Sequence, residues 1–422
     1  MGITNKEVIY MRLNTILVGI ITSMLLLALP VAASDYTLEI FGNANEDDTI
    51  NMQDVTYTEL IILEYRDETD LADAKHDNKI NMQDVTQIEL VILGKEKELT
   101  LLDTADRIVT VNKPITRIVG GPFGILRSFG LELTDIVVGT YSQVDLEVYP
   151  ELSDELLDVG SGWTPDLEKI LGLTPDAVFM QPPGGPFDTT PTLTRLESAG
   201  ITVLCFKCQT PEIHREEVEK LGYLFGRSDE AETYLNWREN ILNSIKETVD
   251  TIPEEDWVNI YFESYQPYTT YPRYGYLTES GGVDIFAGEP GGSVDPESVI
   301  DRNPDVILKV AYPGGGYTSD ADDTADLKAL RDEIMSRSEL QSVKAVENEQ
   351  VYVITSYLLL YLPHCNHIEC FQLAYQAKWL HPDLFEDIDP QAIHQEYLTD
   401  FQRLDIDLDE NGVFVYPRFD GS

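Results

Sequence analysis

Two short stretches of this chain carry oxygen-bearing side chains at alternate positions, an arrangement that can hold a hard cation. The heptapeptide INMQDVT occurs at 50–56 and again at 80–86, so the stretches 43–54 and 73–84 align with each other. Calcium prefers carboxylate, amide and carbonyl oxygens, and a tight loop turns alternate residues to one side. The candidate metal ligands are the side chains of Asn43, Asn45, Asp47, Asn51, Asp54, Asp73, Asp77, Asn81 and Asp84 and the carbonyl groups of Thr49 and Lys79.

Both stretches resemble the twelve-residue calcium loop of EF-hands, and each leads into an apolar helix. Two such units with Asp at the last loop position resemble a dockerin module, here at 35–99. The resemblance implies Ca²⁺ as a cofactor and a cohesin-like partner. Lys75 stands at a ligand position and Asn43 replaces the usual leading Asp, so we expect weak calcium binding with the second loop impaired. The alternative is a helical pair without calcium that serves as a spacer or interaction module.

Beyond residue 99 apolar strands alternate with amphipathic helices, which predicts mostly parallel sheets covered by helices. The passages 166–180 and 295–310 share one plan: an acidic residue, a short helix, Pro-Asp and an apolar strand. Glu168 and Glu297 each stand seven residues before the proline of their passage. This matched spacing favours two similar lobes, although helix–Pro-Asp–strand passages are common in any α/β protein.

One long helix is predicted at 228–250, between the two matched passages. Ser228 is a suitable N-cap, and no Gly or Pro interrupts the segment. An apolar stripe at spacings of three and four is formed by Tyr234, Trp237, Ile241, Ile245 and Val249. The expected fold class is α/β: two Rossmann-like lobes, 104–226 and 256–422, are joined by this single helix and preceded by a small all-α domain at 35–99.

Several passages together resemble the substrate-binding proteins of ABC importers for iron-siderophores, haem and cobalamin. They are TRIVGGPFGILRSFGLELTDIVVGT, WTPDLEKILGLTPDAVFM, GGVDIFAG, DPESVIDRNPDVIL and AKWLHPDLF, and the resemblance covers residues 104–400. It implies that 100–422 is a periplasmic-binding-protein-like domain whose two lobes capture a ligand and deliver it to a membrane permease. It also implies that Glu168 and Glu297 dock into arginine pockets of the permease. The alternative is that each is only an acidic residue in a helix's first turn.

The ligand is expected between the lobes, at the loops that follow the sheet strands. Aromatic groups with a few polar tips suit a large, flat or chelate-like ligand such as an iron-siderophore, haem or a corrinoid. The candidate ligand-binding residues are Pro122, Phe123, Tyr141, Trp163 and Gln181 in the first lobe and Tyr265, Arg273, Tyr274, Tyr312, Tyr357 and His364 in the second. A bare metal ion is less favoured, because it needs several His or carboxylate side chains from both lobes.

The segment HCNHIEC at 364–370 stands where relatives often carry Gly-Pro-Arg. It could coordinate haem or a metal, or form a disulfide-closed loop with surface histidines. Cys205 and Cys208 complete the four cysteines of the chain. Local disulfides or free thiols are favoured over a zinc site, because no CxxC pair has a second CxxC to complete it.

The N-terminus predicts export. Lys6 and Arg12 precede the apolar run 16–29, and small residues follow, which is the plan of a signal peptide at 1–34. An uncleaved membrane anchor is the alternative, although the run is short for a span. The mature protein is therefore expected to be extracytoplasmic and associated with the cell surface. The net charge of −46 argues against nucleic acid and anionic membrane as partners.

Two other classes of function are alternatives to a binding protein. An enzyme is not expected, because the chain lacks G-x-S-x-G, P-loop, G-x-G-x-x-G and H-E-x-x-H motifs. A surface scaffold that works through calcium-dependent dockerin-type binding remains the alternative. A binding protein predicts a saturable ligand, whereas a scaffold predicts calcium-dependent partner binding without one.

Overall fold

The computed structural model describes residues 36–142, 144, 146–152, 156–184, 188–208, 210–271, 277–312, 314–358 and 369–419. The described residues divide into two compact units, one that ends at Ile92 and one that begins at Leu93. The predicted signal peptide at 1–34 lies outside the described residues. Within these ranges, every helix is too short or too polar to cross a membrane.

The first unit is built on two equivalent helices, α1 (Met52–Ile62) and α2 (Met82–Ile92), which pack against each other. A 3₁₀ turn at Asp70–Ala72 lies between them. Both helices begin inside the repeated heptapeptide. At the start of α1 the Asn51 side chain accepts from Gln53 N, while Asp54 accepts from Asn51 N, which forms a capping box. The repeat in the sequence is therefore a repeat of loop and helix.

The second unit opens with an antiparallel pair, β1 (Glu98–Leu102) and β2 (Ile108–Asn112). Its first sheet has the order β5-β4-β3-β6-β7, and its strands are all parallel. The strands are β3 (Ile118–Val119), β4 (Val137–Thr140), β5 (Leu157–Asp158), β6 (Ala177–Met180) and β7 (Val203–Cys205). The helices of this lobe are α3 (Phe123–Ser128), α4 (Leu133–Ile136), α5 (Leu167–Leu173), α6 (Thr190–Ser198) and α7 (Pro211–Phe225).

The long helix α8 (Ser228–Val249) follows, with 22 residues and a length of about 33 Å. The predicted cap was wrong: Arg227 is the N-cap residue and Ser228 is already helical. The reason is local, because Gly226 ends α7 at a φ of 64° and leaves a single residue before α8. The predicted stripe holds, since Tyr234, Ile245 and Val249 are buried.

The second sheet has the order β10-β8-β12-β14-β16, in which β16 alone runs antiparallel to its neighbour. The strands in chain order are β8 (Val258–Glu263), β9 (Thr269–Thr270), β10 (Gly282–Asp284), β11 (Gly292–Ser293), β12 (Val306–Ala311), β13 (Gly316–Asp320), β14 (Val351–Thr355), β15 (Asn411–Val413) and β16 (Val415–Tyr416). Two ribbons outside the sheet pair β9 with β11 and β13 with β15. This confirms the predicted α/β class with mostly parallel sheets.

The helices of the second lobe are α9 (Pro296–Arg302), α10 (Ala325–Ser336), α11 (Lys344–Glu347), α12 (Glu369–Leu380) and α13 (Pro390–Glu396). A π-helical turn at Tyr397–Phe401 continues α13. Single 3₁₀ turns lie at Glu254–Asp256, Thr278–Ser280, Ser338–Leu340 and Ser356–Leu358.

Helix α8 packs against elements of both lobes, α7 and α3 on one side and α12 on the other. Trp237 of α8 lies 4.9 Å from Phe401 and stacks on Tyr397 at 5.8 Å between ring centroids. The next residue, Gln402, reaches the first lobe: its Nε2 donates to Gly124 O and to Ser128 Oγ of α3, both at 2.9 Å. The segment that follows α13 thus returns to the first lobe and joins it to the second.

Candidate functional site

Two tyrosines meet where the central strands of the second sheet end. Tyr265 follows β8 and Tyr312 follows β12, and these strands are parallel neighbours. Their ring centroids are 5.2 Å apart, with an interplanar angle of 49°. Tyr312 is 56% exposed and Tyr265 is half-buried. The pair therefore presents an aromatic surface at the carboxyl edge of the sheet, where ligands of α/β proteins bind.

Tyr357 lies in the turn after β14, at the same edge. Its ring is half-buried and packs edge-on against Tyr317 at 5.8 Å. Gly316 has a φ of 118°, and a Cβ there would lie 3.0 Å from the Tyr357 ring. Tyr357 is thus held by the β13–β15 ribbon, with part of its surface accessible.

In the first lobe, two aromatic residues that were predicted to contact the ligand are more deeply buried than expected. Phe123 and Tyr141 are buried, at 3% and 6% exposure. Phe123 packs edge-on against Tyr149, and Tyr141 OH donates to Phe179 O at 2.6 Å. Burial also raises the pKa of the Tyr141 hydroxyl. These contacts favour a packing role over direct ligand contact in this state of the protein.

The remaining candidates of the first lobe stay near the strand ends. Pro122 precedes α3 and is half-buried. Trp163 and Gln181 are also half-buried, and Gln181 O accepts from Thr189 Oγ1 at 3.2 Å. Arg273, Tyr274 and His364 lie outside the described residues, as does Cys365. Cys205, Cys208 and Cys370 are free thiols, all buried.

Glu168 and Glu297 occupy the same position in two matching helices. Each is exposed in the first turn of a seven-residue helix, α5 or α9. The N-cap aspartates Asp166 and Asp295 accept from the backbone N–H of Glu168 and Glu297, at 3.0 and 2.9 Å. The backbone donors there are thus already satisfied by the caps, which leaves both glutamate carboxylates at the surface.

In the first unit the last carboxylate of each loop is buried and bonded to backbone. Asp54 accepts from Asn45 N and Asn51 N, at 3.2 and 2.8 Å. Asp84 accepts from Lys75 N and Asn81 N, at 3.0 and 2.8 Å. Burial raises the pKa of Asp54 to about 6, against the opposing effect of these hydrogen bonds. Burial raises the pKa of Asp84 as well.

The two loops differ at their first position. Asn43 is fully buried, and its Nδ2 donates to Leu38 O and Asp47 O. Its Oδ1 has no hydrogen-bond partner among the described residues. In the second loop Asp73 instead accepts from Asp77 N and Asn78 N, at 3.0 and 2.7 Å.

The remaining predicted ligands of the loops are exposed or half-buried. Asp47 Oδ1 accepts from Thr49 N at 3.0 Å, and Lys79 O accepts from Asn81 Nδ2 at 3.4 Å. Over the described ranges, no group of three or more His, Cys, Asp or Glu side chains is arranged to hold a metal ion. Calcium in the first loop would therefore depend largely on amide and carbonyl oxygens.

The sequence reasoning missed a buried charged group beneath Tyr265. Glu263, Lys309 and Arg337 have side chains no more than 5% exposed, and the two cations each form an ion pair with Glu263. A signal was present, since Lys309 interrupts the apolar strand VILKVA. A lysine in a central strand is rarely buried unless it has a partner.

Comparison with known proteins agrees with this architecture. Residues 122–358 match the family model described as periplasmic binding protein. The vitamin B12-binding protein of Vibrio campbellii is 27% identical over 205 residues, which cover 47% of this chain and 71% of that protein.

Solved structures share the fold. The TroA-like periplasmic binding protein FepB of Veillonella parvula has a TM-score of 0.61 and 23% identity, over 75% of this chain and 98% of that one. The molybdate periplasmic binding protein MolA of Haemophilus influenzae has a TM-score of 0.56 and 19% identity, over 72% and 98%.

The two α/β lobes, each with a mostly parallel sheet, have the architecture of periplasmic binding proteins. The chain belongs to the periplasmic binding protein family, whose model matches more than half of its length. It is an extracytoplasmic solute-binding component of an ABC importer, and the predicted absence of enzymatic activity follows from this family membership.

Proposed function

We propose that the second unit captures a large, flat, chelate-type ligand of the corrinoid, haem or ferric-siderophore class. The observation that carries this proposal is the ring pair of half-buried Tyr265 and exposed Tyr312 at the carboxyl edge of the second sheet. Two tilted rings offer stacking and edge contacts to an extended conjugated or chelated surface. The likeness to a vitamin B12-binding protein supports the same class.

A panel of purified ligands tests this proposal. Cyanocobalamin, haemin and a ferric siderophore are titrated into the full chain, with molybdate as the small-anion comparison, and the melting temperature is recorded. A ligand at a hundred times its Kd stabilises the fold by about 2.7 kcal/mol. A shift with molybdate alone, or with none of the four, contradicts the proposal.

The delivery step would use the two exposed carboxylates at the matching helix starts. We propose that Glu168 and Glu297 dock to the permease, one from each lobe, because paired charges at fixed positions orient a partner. Helix α8 would act as a strut that limits lobe closure, supported by its Trp237 contacts and by Gln402. Small-angle scattering with and without ligand tests the strut: a large decrease in radius of gyration contradicts it.

For the first unit we propose a calcium-dependent interaction with a cohesin-like protein. The buried, unpartnered Asn43 Oδ1 favours a cation in the first loop. Met52 and Met82, at equivalent positions of the repeat, are 59% and 57% exposed and offer apolar surface to a partner. Calorimetric titration of the full chain with calcium, and then with a purified cohesin in calcium or EDTA, tests the two steps separately.

A further inference from the structure

A buried charged group lies directly beneath the loop that presents Tyr265. Glu263 ends β8, Lys309 stands beside it in β12, and Arg337 follows α10. Lys309 Nζ lies 3.1 Å from Glu263 Oε1, and Arg337 makes two hydrogen bonds to the same carboxylate, at 2.7 and 2.9 Å. The side-chain exposures are 0% for Glu263, 3% for Lys309 and 5% for Arg337. The group is therefore fully within the second lobe.

Lys309 directs most of its hydrogen bonds to the loop backbone. An ammonium group has three donors. Besides its contact with Glu263, Lys309 Nζ donates to Ser264 O at 2.6 Å and to Tyr265 O at 3.0 Å. Burial lowers the pKa of Lys309 while Glu263 acts to raise it, so the lysine bears a desolvation cost. An apolar side chain would fill this buried position without a desolvation cost. We therefore infer that the lysine is kept for its two hydrogen bonds to the loop carbonyls.

Glu263 fixes the other end of the same loop. Its Oε2 accepts from Tyr268 N at 2.9 Å, and Arg337 lies over the Tyr268 ring at 4.6 Å from the centroid. Ser264 N also donates to Thr269 O at 2.7 Å, which closes the loop 264–269. Burial acts to raise the pKa of Glu263, but hydrogen bonds and charge from Arg337 and Lys309 hold it below its ordinary value. The carboxylate thus remains an acceptor for the loop.

We propose that Lys309 is a positioning residue for ligand binding: it holds the carbonyls of Ser264 and Tyr265 and so fixes the Tyr265 ring against Tyr312. The proposal rests on the proposed function in one respect, that this ring pair contacts the ligand. Lys309 is too deeply buried to touch a ligand itself, so its effect passes through the loop. Removal of its ammonium group takes one charged donor away from each of the two carbonyls and so weakens the hold on Tyr265.

The test compares Lys309→Met with a matched variant, Lys113→Met, in the full chain. Lys113 is also a largely buried lysine, with its side chain 10% exposed, and it contacts the Glu96 carboxylate and Tyr223 O. It offers the same chemistry away from the strand-end loops. Two quantities are measured: amide hydrogen exchange by mass spectrometry in peptides that cover 264–269, and the affinity for cyanocobalamin and haemin.

Lys309→Met is expected to raise exchange in 264–269 and to weaken ligand binding by about tenfold, from the loss of two charge-assisted hydrogen bonds. Lys113→Met is expected to lower the melting temperature without either change. If Lys309→Met does not fold, Lys309→Gln, which keeps an uncharged N–H donor group, replaces it with the same expected direction. Unchanged exchange in 264–269, or an equal affinity loss in the Lys113 variant, overturns the proposal. If wild-type protein binds neither probe nor a ferric siderophore, the proposed ligand class fails, and the exchange measurement alone still decides the role of Lys309.

Discussion

Asp176 and Asp305 make similar contacts in the two lobes: each carboxylate accepts at least one backbone hydrogen bond near the start of the neighbouring strand. Asp176 Oδ2 accepts from Thr116 N and Arg117 N, at 2.8 and 2.9 Å. Asp305 Oδ2 accepts from Asn259 N at 3.3 Å and from Asn259 Nδ2 at 3.1 Å. The Pro-Asp of each matched passage therefore joins two adjacent parallel strands as well as ending a helix.

Replacement of either aspartate should weaken its own lobe. We expect Asp176→Ala and Asp305→Ala each to lower the free energy of unfolding by about 1 to 3 kcal/mol, because backbone donors lose a charged acceptor. Urea unfolding followed by tryptophan fluorescence measures this, since all four Trp residues lie in the second unit. Asp301→Ala, at an exposed carboxylate of α9, is the control. An equal loss in the control would show that the strand contact contributes nothing.

Charge reversal of the glutamates at the starts of α5 and α9 should weaken docking to the permease without changing ligand affinity. Glu168→Lys and Glu297→Lys are expected to leave the affinity for cyanocobalamin or haemin unchanged, because both side chains are exposed outside the aromatic pair. Each should weaken association with the purified permease by about tenfold, since removal of a complementary charge slows encounter and loosens docking. Stimulation of permease ATPase activity by the liganded protein provides the measurement.

The control for this pair is Glu247→Lys, an exposed reversal on α8. It changes the net charge by the same amount at another place. If it weakens permease association as much as the other two, general charge and not docking explains the effect.

Buried His394 should make the second unit sensitive to acid. Its Nε2 lies 2.9 Å from Tyr317 OH, its ring packs on Phe371 and Phe414, and burial lowers its pKa to about 3. The unfolded chain takes up a proton near pH 6.5 while the folded one does not, so stability falls as pH drops below 6.5. At pH 5 this costs about 2 kcal/mol.

The measurement is urea unfolding of wild type and His394→Gln at pH 7.5 and pH 5. The variant loses packing and a hydrogen bond at both pH values, but its deficit relative to wild type should shrink by about 2 kcal/mol at pH 5. His214, whose pKa burial and Arg238 also lower to about 3, should show the same sign. A deficit that is constant with pH would exclude titration of His394 as the cause.

Calcium should act most strongly on the first unit above pH 6. Burial raises the pKa of Asp54 from 3.8 to about 6, so without calcium the unit loses stability as pH rises from about 4 to about 6, by on the order of 3 kcal/mol. A cation favours the ionised carboxylate and should offset this loss. Amide exchange in peptides that cover 43–92 of the full chain, at pH 7 with calcium or EDTA, measures the effect.

Asp54→Asn provides the matched variant, because it keeps the size of the side chain and removes the charge. Its exchange in 43–92 should no longer respond to calcium. A calcium response that survives in Asp54→Asn and disappears in Asp84→Asn would assign the cation to the second loop.

Local patterns in the sequence predicted the helices and strands but not how deeply individual side chains are buried. The spacing of Glu168 and Glu297 predicted two equivalent helices, and the stripe on 228–250 predicted the buried face of α8. Burial of Phe123 and Tyr141 depends on contacts with Tyr149 and Phe179, which the order of elements along the chain does not give.

The group at Lys309 shows the same limit. A lysine in an apolar strand indicates a partner, yet Glu263 and Arg337 are distant in sequence and could not be chosen from pattern alone. The prediction of Ser228 as the N-cap of α8 was wrong for a local reason. Gly226 ends the preceding helix, so Arg227 is the only residue left to cap α8. Ion pairs between residues distant in sequence, and the exact start of a helix after a one-residue connection, depend on how the lobe packs.

The contact of Gln402 with α3 also constrains the order in which this protein can be completed. Gln402 Nε2 bonds to Gly124 O across a separation of 278 residues. The ribosome therefore releases the first lobe long before the side chain that packs behind its first helix has been made. The hydrogen bonds of Gln402 to Gly124 and Ser128 can form only once residue 402 has been synthesised, so this face of α3 is covered long after α3 itself has been made.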